Sequence, residues 1–162
     1  MKNRSRSSWL SLIAVLALTA LGVTFAALAG EDEPKPGPHA KDPACAALAK
    51  RLPSKLAGLS RQRALSPGVT VWGDNEVIAR CGVTPPEKTT DACASINNTD
   101  WVIREISEHG RGGRLLVTYG RRPAVELTIP EHTKSVDVVL VTLSDAVKPI
   151  ATESKCLDQQ GR

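Results

Sequence analysis

Aromatic side chains are scarce in this chain: three Trp, one Tyr and one Phe among 162 residues. Trp9 and Phe25 fall in an uncharged run near the N-terminus, so the rest of the chain keeps only Trp72, Trp101 and Tyr119. A core there has to be built from Val, Leu, Ile and Ala. Acidic residues are missing from the first 30 positions, and all seventeen lie beyond them. The formal charge of +4 is therefore partly a property of Lys2, Arg4 and Arg6. Past residue 30, eighteen Lys and Arg face seventeen Asp and Glu. A near-neutral domain lacks the clustered positive charge that nucleic acid requires, so nucleic acid is not expected as a partner.

Signatures of known chemistry are also missing. No Ser stands three residues before a Lys, and there is no G-x-S-x-G elbow. The loop HGRGGR (109–114) is rich in glycine, but Leu115 occupies the last place of a G-x-G-x-x-G pattern, and no P-loop is present. No C-x-x-C occurs, the nearest cysteines are twelve positions apart, and His39, His109 and His132 are scattered. Zinc sites pair ligands about two to four residues apart, so no metal is expected and no cofactor is implied.

What the chain does carry begins at its start. Residues 1–8 are basic, and residues 9–29 (WLSLIAVLALTALGVTFAALA) hold no charge over 21 positions. A helix of that length spans roughly 30 Å, the thickness of a hydrocarbon core. Ala27-Leu28-Ala29 also matches a signal-peptidase site, so cleavage after Ala29 and secretion is the alternative. The run exceeds the roughly 7–15 residues of a signal core, and Trp9 suits an interfacial position, which favours an uncleaved single-pass anchor. In either case the basic end stays in the cytoplasm and the remainder is exported. Residues 30–42 (GEDEPKPGPHAKD) read as a Pro-rich, charged stalk, and residues 43–158 as the exported domain.

All four cysteines lie on the exported side: Cys45, Cys81, Cys93 and Cys156. An even number in an oxidising compartment reads as two disulfides. Three connectivities are possible. The Pro-Pro loop between Cys81 and Cys93 favours their pairing, worth about 3 kcal/mol by loop-closure entropy. Cys45 with Cys156 then closes a loop of more than about 100 residues, worth about 4.7 kcal/mol.

The pattern along the domain predicts α+β. Asp42-Pro43 opens a helix over 43–52 with Cys45, Leu48 and Leu52 inward, and Pro53 ends it. Residues 54–65 read as a second short helical or irregular piece burying Leu56, Leu59 and Leu65. Strands follow at 69–72, 76–83, 100–107, 114–120 and 124–130, with Val77, Ala79 and Cys81 on one face. Ala92-Cys93 reads as a short turn, 109–114 as a loop, and Gly120–Pro123 as a hairpin turn. Residues 135–150 are rich in β-branched side chains. Yet Val136, Val139, Leu140, Leu143 and Val147 form a helical stripe, which predicts a helix. The expected architecture is a mostly antiparallel sheet packed by one or two helices.

Candidate site residues come from three groups. Arg80, Arg104, Arg111, Arg114, Arg121 and Arg122 could bind an anion if they converge, or else form ion pairs with Asp74, Glu76, Glu105 and Glu126. Trp72 and Trp101 could wall a small-ligand pocket or simply plug the core. Asp74, Arg80, Asp100 and Arg121 could assemble an enzyme site.

The runs VWGDNEVIARCGVTPPE, NNTDWVI, VTYGRRPAVELTIP and VVLVTLSDAV resemble the actinobacterial domain-of-unknown-function family numbered 3515. The resemblance extends over roughly residues 44–148, with a first Cys before Leu52-Pro53, a W-G…R-C-G-V-x-x-P core and a Y-G-R-x-P-A-V-E segment. It implies an exported, membrane-associated protein of a Gram-positive cell envelope, and transfers no catalytic residue. The leading expectation is a non-catalytic binding or scaffold domain held to the cytoplasmic membrane through residues 9–29, its partner an envelope protein or a wall polymer. An envelope enzyme and a small-ligand or anion-binding module are the alternatives.

Overall fold

The computed structural model describes residues 34–63, 66–108 and 111–157. The basic start, the uncharged run 9–29 and the first residues of the stalk lie outside them. Among the described residues no helix is long and apolar enough to cross a membrane. The described elements are α1 (Pro43–Arg51), β1 (Lys55–Leu56), β2 (Leu59–Ser60), β3 (Val69–Trp72), β4 (Val77–Val83), β5 (Ala92–Ile96), β6 (Thr99–Glu108), β7 (Arg111–Thr118), β8 (Ala124–Pro130) and α2 (Val136–Val147).

Six strands form one sheet in the order β3-β4-β8-β7-β6-β5, with every neighbour antiparallel. Strands β5 to β8 run as a meander, and the β3–β4 hairpin adds to the outer edge of β8. The cross-strand row Thr70–Ala79–Leu127–Leu116–Ile103–Ala92 lies on the face that carries the helices. Trp72, Val77, Leu127, Leu116 and Trp101 on this side are almost fully buried against Leu48 of α1, Leu52 just after it, and Val139, Leu143 and Val147 of α2. The α2 stripe read from the sequence is therefore real. One apolar face against the sheet outweighs the strand preference of its valines, because burial is worth more than local propensity.

Local chemistry explains the remaining boundaries. The Asp42 carboxylate accepts from the Ala44 amide at 2.8 Å and starts α1, with Pro43 in the first turn. Arg61 closes the other end, donating to the carbonyls of Ala49 and Leu52. The segment after Pro53 is not helical: Ala57 and Gly58 both take positive φ and fold β1 onto β2 as a minimal hairpin. Leu56 is buried there, Leu59 is half-buried, and Leu65 lies outside the described residues. Arg111–Arg114, read as loop, extend β7 opposite β6. Ala92-Cys93 are not a turn but the start of β5. The two-residue turn Asn97-Asn98, both at positive φ, joins β5 to β6.

The stalk reading needs correction over its second half. Residues from Pro34 onward belong to the folded unit. His39 donates to the Gly82 carbonyl at 2.8 Å, and Ala40 is buried. Gly82 has φ +86 at a bulge in β4, and a Cβ there would collide with the His39 backbone. Only glycine lets the two chains touch at this point.

The cysteine pairing also differs from expectation: Cys45 bonds Cys81, and Cys93 bonds Cys156, with Cα separations of 5.5 and 6.2 Å. The reason is topological. β4 and β5 are close in sequence, but β8, β7 and β6 lie between them. Four strand spacings put Cys81 and Cys93 about 19 Å apart, whereas bridged cysteines need Cα atoms within about 7 Å. The Pro-Pro loop, 84–91, does not close a small ring. It carries the chain from one side of the sheet to the other.

Candidate functional site

The face of the sheet opposite the helices holds the polar and half-open features. One row across it reads Val69–Arg80–Glu126–Val117–Val102–Cys93. At its centre Arg80 forms an ion pair with the buried Glu126 carboxylate and also donates to the Lys35 carbonyl at 3.2 Å. Val117 and Val102 are buried without a helix above them. Loop 84–91 starts at Val83, which packs on Val117 and Ala124, and ends at Asp91, which pairs with Arg104 at 2.7 Å. Both anchors lie on this face. Hydrogen bonds from Arg104, and secondarily from Thr89, hold the Asp91 carboxyl below its ordinary range.

The next rows are more open. Val71, Ile78, Thr128 and Leu115 follow one another across β3, β4, β8 and β7, ending at exposed Arg104. Pro130, Gly113 and Ile106 form the row below. The side chains of Val71, Ile78, Leu115, Ile106 and Pro130 are only half-buried. Together they make a shallow apolar strip on the sheet. At the end of the sheet, and on its helix side, is a cleft of about 90 Å³ bordered by Glu105, Arg114 and Ile129 and by Val136 of α2. Drug-sized ligands occupy sites of about 300–1,000 Å³, so this space takes a small group at most.

The predicted site residues do not converge. Trp72 and Trp101 have no exposed surface. Their indole N–H groups donate to the Pro53 carbonyl at 3.0 Å and the Ser144 hydroxyl at 2.9 Å. They plug the core, and neither offers a wall to a ligand. Arg121 is 4 % exposed. Its guanidinium donates to the carbonyls of Lys148, Ile150 and Asn98 and to the Thr99 hydroxyl. It ties the end of α2 to the β5–β6 turn, a role for which the sequence offered no signal beyond an Arg next to a glycine turn. Burial lowers its pKa, and the nearby Asp100 carboxylate opposes that shift.

Three more of the predicted arginines are engaged as well, and the side chain of Arg111 lies outside the described residues. Arg104 pairs with Asp91, Arg114 with Glu105 and Arg122 with Glu153. The dispersed enzyme set separates in the same way. Asp100 and Arg121 are neighbours, but Asp100 accepts from the Cys156 amide at 2.9 Å. Arg80 is bound to Glu126, and Asp74 is exposed in the β3–β4 turn. The apolar strip is the feature that sequence reading missed. Its members come from five strands and share a face only because of strand order. Among the described residues no cluster of His, Cys, Asp and Glu is arranged to hold a metal ion.

No curated protein and no solved structure matches this chain. A family model does, over residues 9–156, and its description is a protein of unknown function, DUF3515. With nearly the whole chain covered by that match, the protein belongs to the DUF3515 family.

Proposed function

We propose that this chain is a membrane-tethered binding domain that works outside the cytoplasm and presents the open strip of its sheet to another envelope protein. The strip carries the proposal. Val71, Ile78, Leu115, Ile106 and Pro130 are left half-exposed on the face of the sheet away from the helices. Apolar side chains gathered at one place, with a polar rim of Arg104 and Asp91, are the usual makings of a protein contact. A wall polymer read by arginines is less well supported, since Arg80, Arg104, Arg114 and Arg122 already hold carboxylates. The uncharged segment 9–29 supports the tether. The two disulfides support an oxidising compartment.

A photo-reactive amino acid at Leu115, activated in living cells, tests this reading. Discrete protein adducts that disappear with Ile78→Glu are expected. An absence of adducts, or adducts indifferent to Ile78→Glu, overturns it. Protease protection of the full chain in spheroplasts tests the tether separately.

A further inference from the structure

The two edges of the sheet are treated differently. The β3 edge is closed by the preceding chain: Gln62 donates to the Val71 carbonyl at 2.8 Å, Arg61 pairs with Trp72, and Gly73 donates to the Ser60 carbonyl. The β5 edge is not closed by any described residue. Its sequence, ACASI, has no charge, no proline and no bulge, the devices that normally keep edge strands from pairing.

The outward groups can be assigned. The Asp100 carbonyl accepts from Tyr119 at 2.8 Å, on the side away from β5. Its cross-strand partner Ser95 therefore points its own N–H and C=O outward, and by the two-residue alternation Cys93 does the same. The Cys93 side chain leaves the plane of the sheet on the face away from the helices, so its bridge to Cys156 does not fill the edge.

A second feature adjoins this one. Val138 and Val141 on α2 are each 45 % exposed. They share a helical stripe with Asp145, whose carboxylate accepts from the Asn97 side chain at 2.8 Å, at the tip of the β5–β6 hairpin. The valine stripe thus borders the β5 edge, on the helix side of the sheet.

We infer that the β5 edge and the Val138–Val141 stripe of α2 together form a two-fold interface with a second copy of this chain. A two-fold axis normal to the sheet through Ala94 sets Cys93 opposite Ser95 of the second copy, and the reverse. The outward groups then make four backbone hydrogen bonds. Ala94 faces its own equivalent as a close, non-hydrogen-bonded pair. Ala92 faces Ile96, and Asp91 faces the uncharged Asn97 rather than another acid. The same rotation keeps the helices of both copies on one side and brings the valine stripes together. Two five-residue strands alone fall short of the roughly 1,000 Å² of a specific interface. The valines add the apolar area the strands lack.

Cysteine crosslinking of the full chain, in the cell fraction where it resides, tests the assignment. Non-hydrogen-bonded antiparallel partners have Cα atoms about 4.5 Å apart, within disulfide reach. Ala94→Cys should give a homodimer on mild oxidation. Its yield should exceed that of Lys55→Cys, on exposed β1, about fivefold or more through the raised local concentration. Adding Ser95→Pro removes an outward N–H that β6 does not use, and should return the yield to the Lys55→Cys level. Val141→Lys should do likewise, with the Cys45–Cys81 bridge intact by mass mapping as the check on folding. A yield no higher than that of Lys55→Cys, a yield unchanged by both secondary substitutions, or an adduct with a different protein overturns the inference.

Discussion

Cysteine substitutions in pairs test the connectivity through free energy. Loop-closure entropy for a separation of 36 residues gives about 3.8 kcal/mol for Cys45–Cys81, and about 4.3 kcal/mol for the 63-residue separation of Cys93–Cys156. These denatured-chain contributions are close, so packing separates the bridges. Cys45 and Cys81 are buried between α1 and β4, and losing two sulfurs there adds about 1 kcal/mol of cavity cost. Cys93 is exposed and leaves no void. Because one bridge needs two cysteines, Cys45→Ala and Cys81→Ala should each cost nearly as much as both together. Cys81→Ala with Cys93→Ala breaks both bridges and should cost about 8 kcal/mol, comparable with the whole stability of a small domain. Urea unfolding followed by the fluorescence of the buried indoles measures this, with free thiols alkylated after unfolding to confirm which remain. Additive costs for Cys45 and Cys81, or a non-additive Cys81 and Cys93 pair, would refute the strand order as well as the bridges. The two cysteines cannot meet across three intervening strands.

Three further outcomes follow from the buried polar contacts and the loop. Arg121→Met leaves the carbonyls of Lys148, Ile150 and Asn98 without their donor, and should cost about 3 kcal/mol in chemical denaturation. Arg121→Lys should recover only part of it, since an ammonium cannot span the fork. Ser144→Ala strands the Trp101 indole N–H in the core and should cost about 1–2 kcal/mol, with altered near-ultraviolet dichroism. Asp91 titrates below its ordinary value near 3.8 because Arg104 and Thr89 favour the carboxylate. A depressed folded pKa means its contribution to holding loop 84–91 is complete above the unfolded value and is lost as pH falls through the folded one. Carboxyl NMR should show that midpoint rising toward 3.8 in Arg104→Gln. No rise would remove the ion pair from the account.

Much of the fold was legible because its signals are local. Asp42-Pro43 and Pro53 bracket α1 through capping and a missing N–H. The alternation of Val77, Ala79 and Cys81 survives as the buried face of β4. The α2 stripe is a period of 3.6, which strand propensity does not erase. β5 was not legible: ACASI has small side chains and no strong period, and it becomes a strand only because β6 is there to pair with it. The strip of half-open apolar residues was illegible for a related reason. Val71, Ile78, Leu115 and Ile106 alternate correctly within their own strands, but nothing in one strand says which strands will lie beside it.

By itself, then, the chain determined its class, the presence of two disulfides and which residues of α1, β4 and α2 turn inward. Propensity, capping and periodicity act over a few residues. Tertiary structure decided which cysteines meet, that Arg121 serves main-chain carbonyls rather than an anion, and where apolar surface stays open. Those depend on distances between strands far apart in sequence, and strand order follows from how the whole core closes.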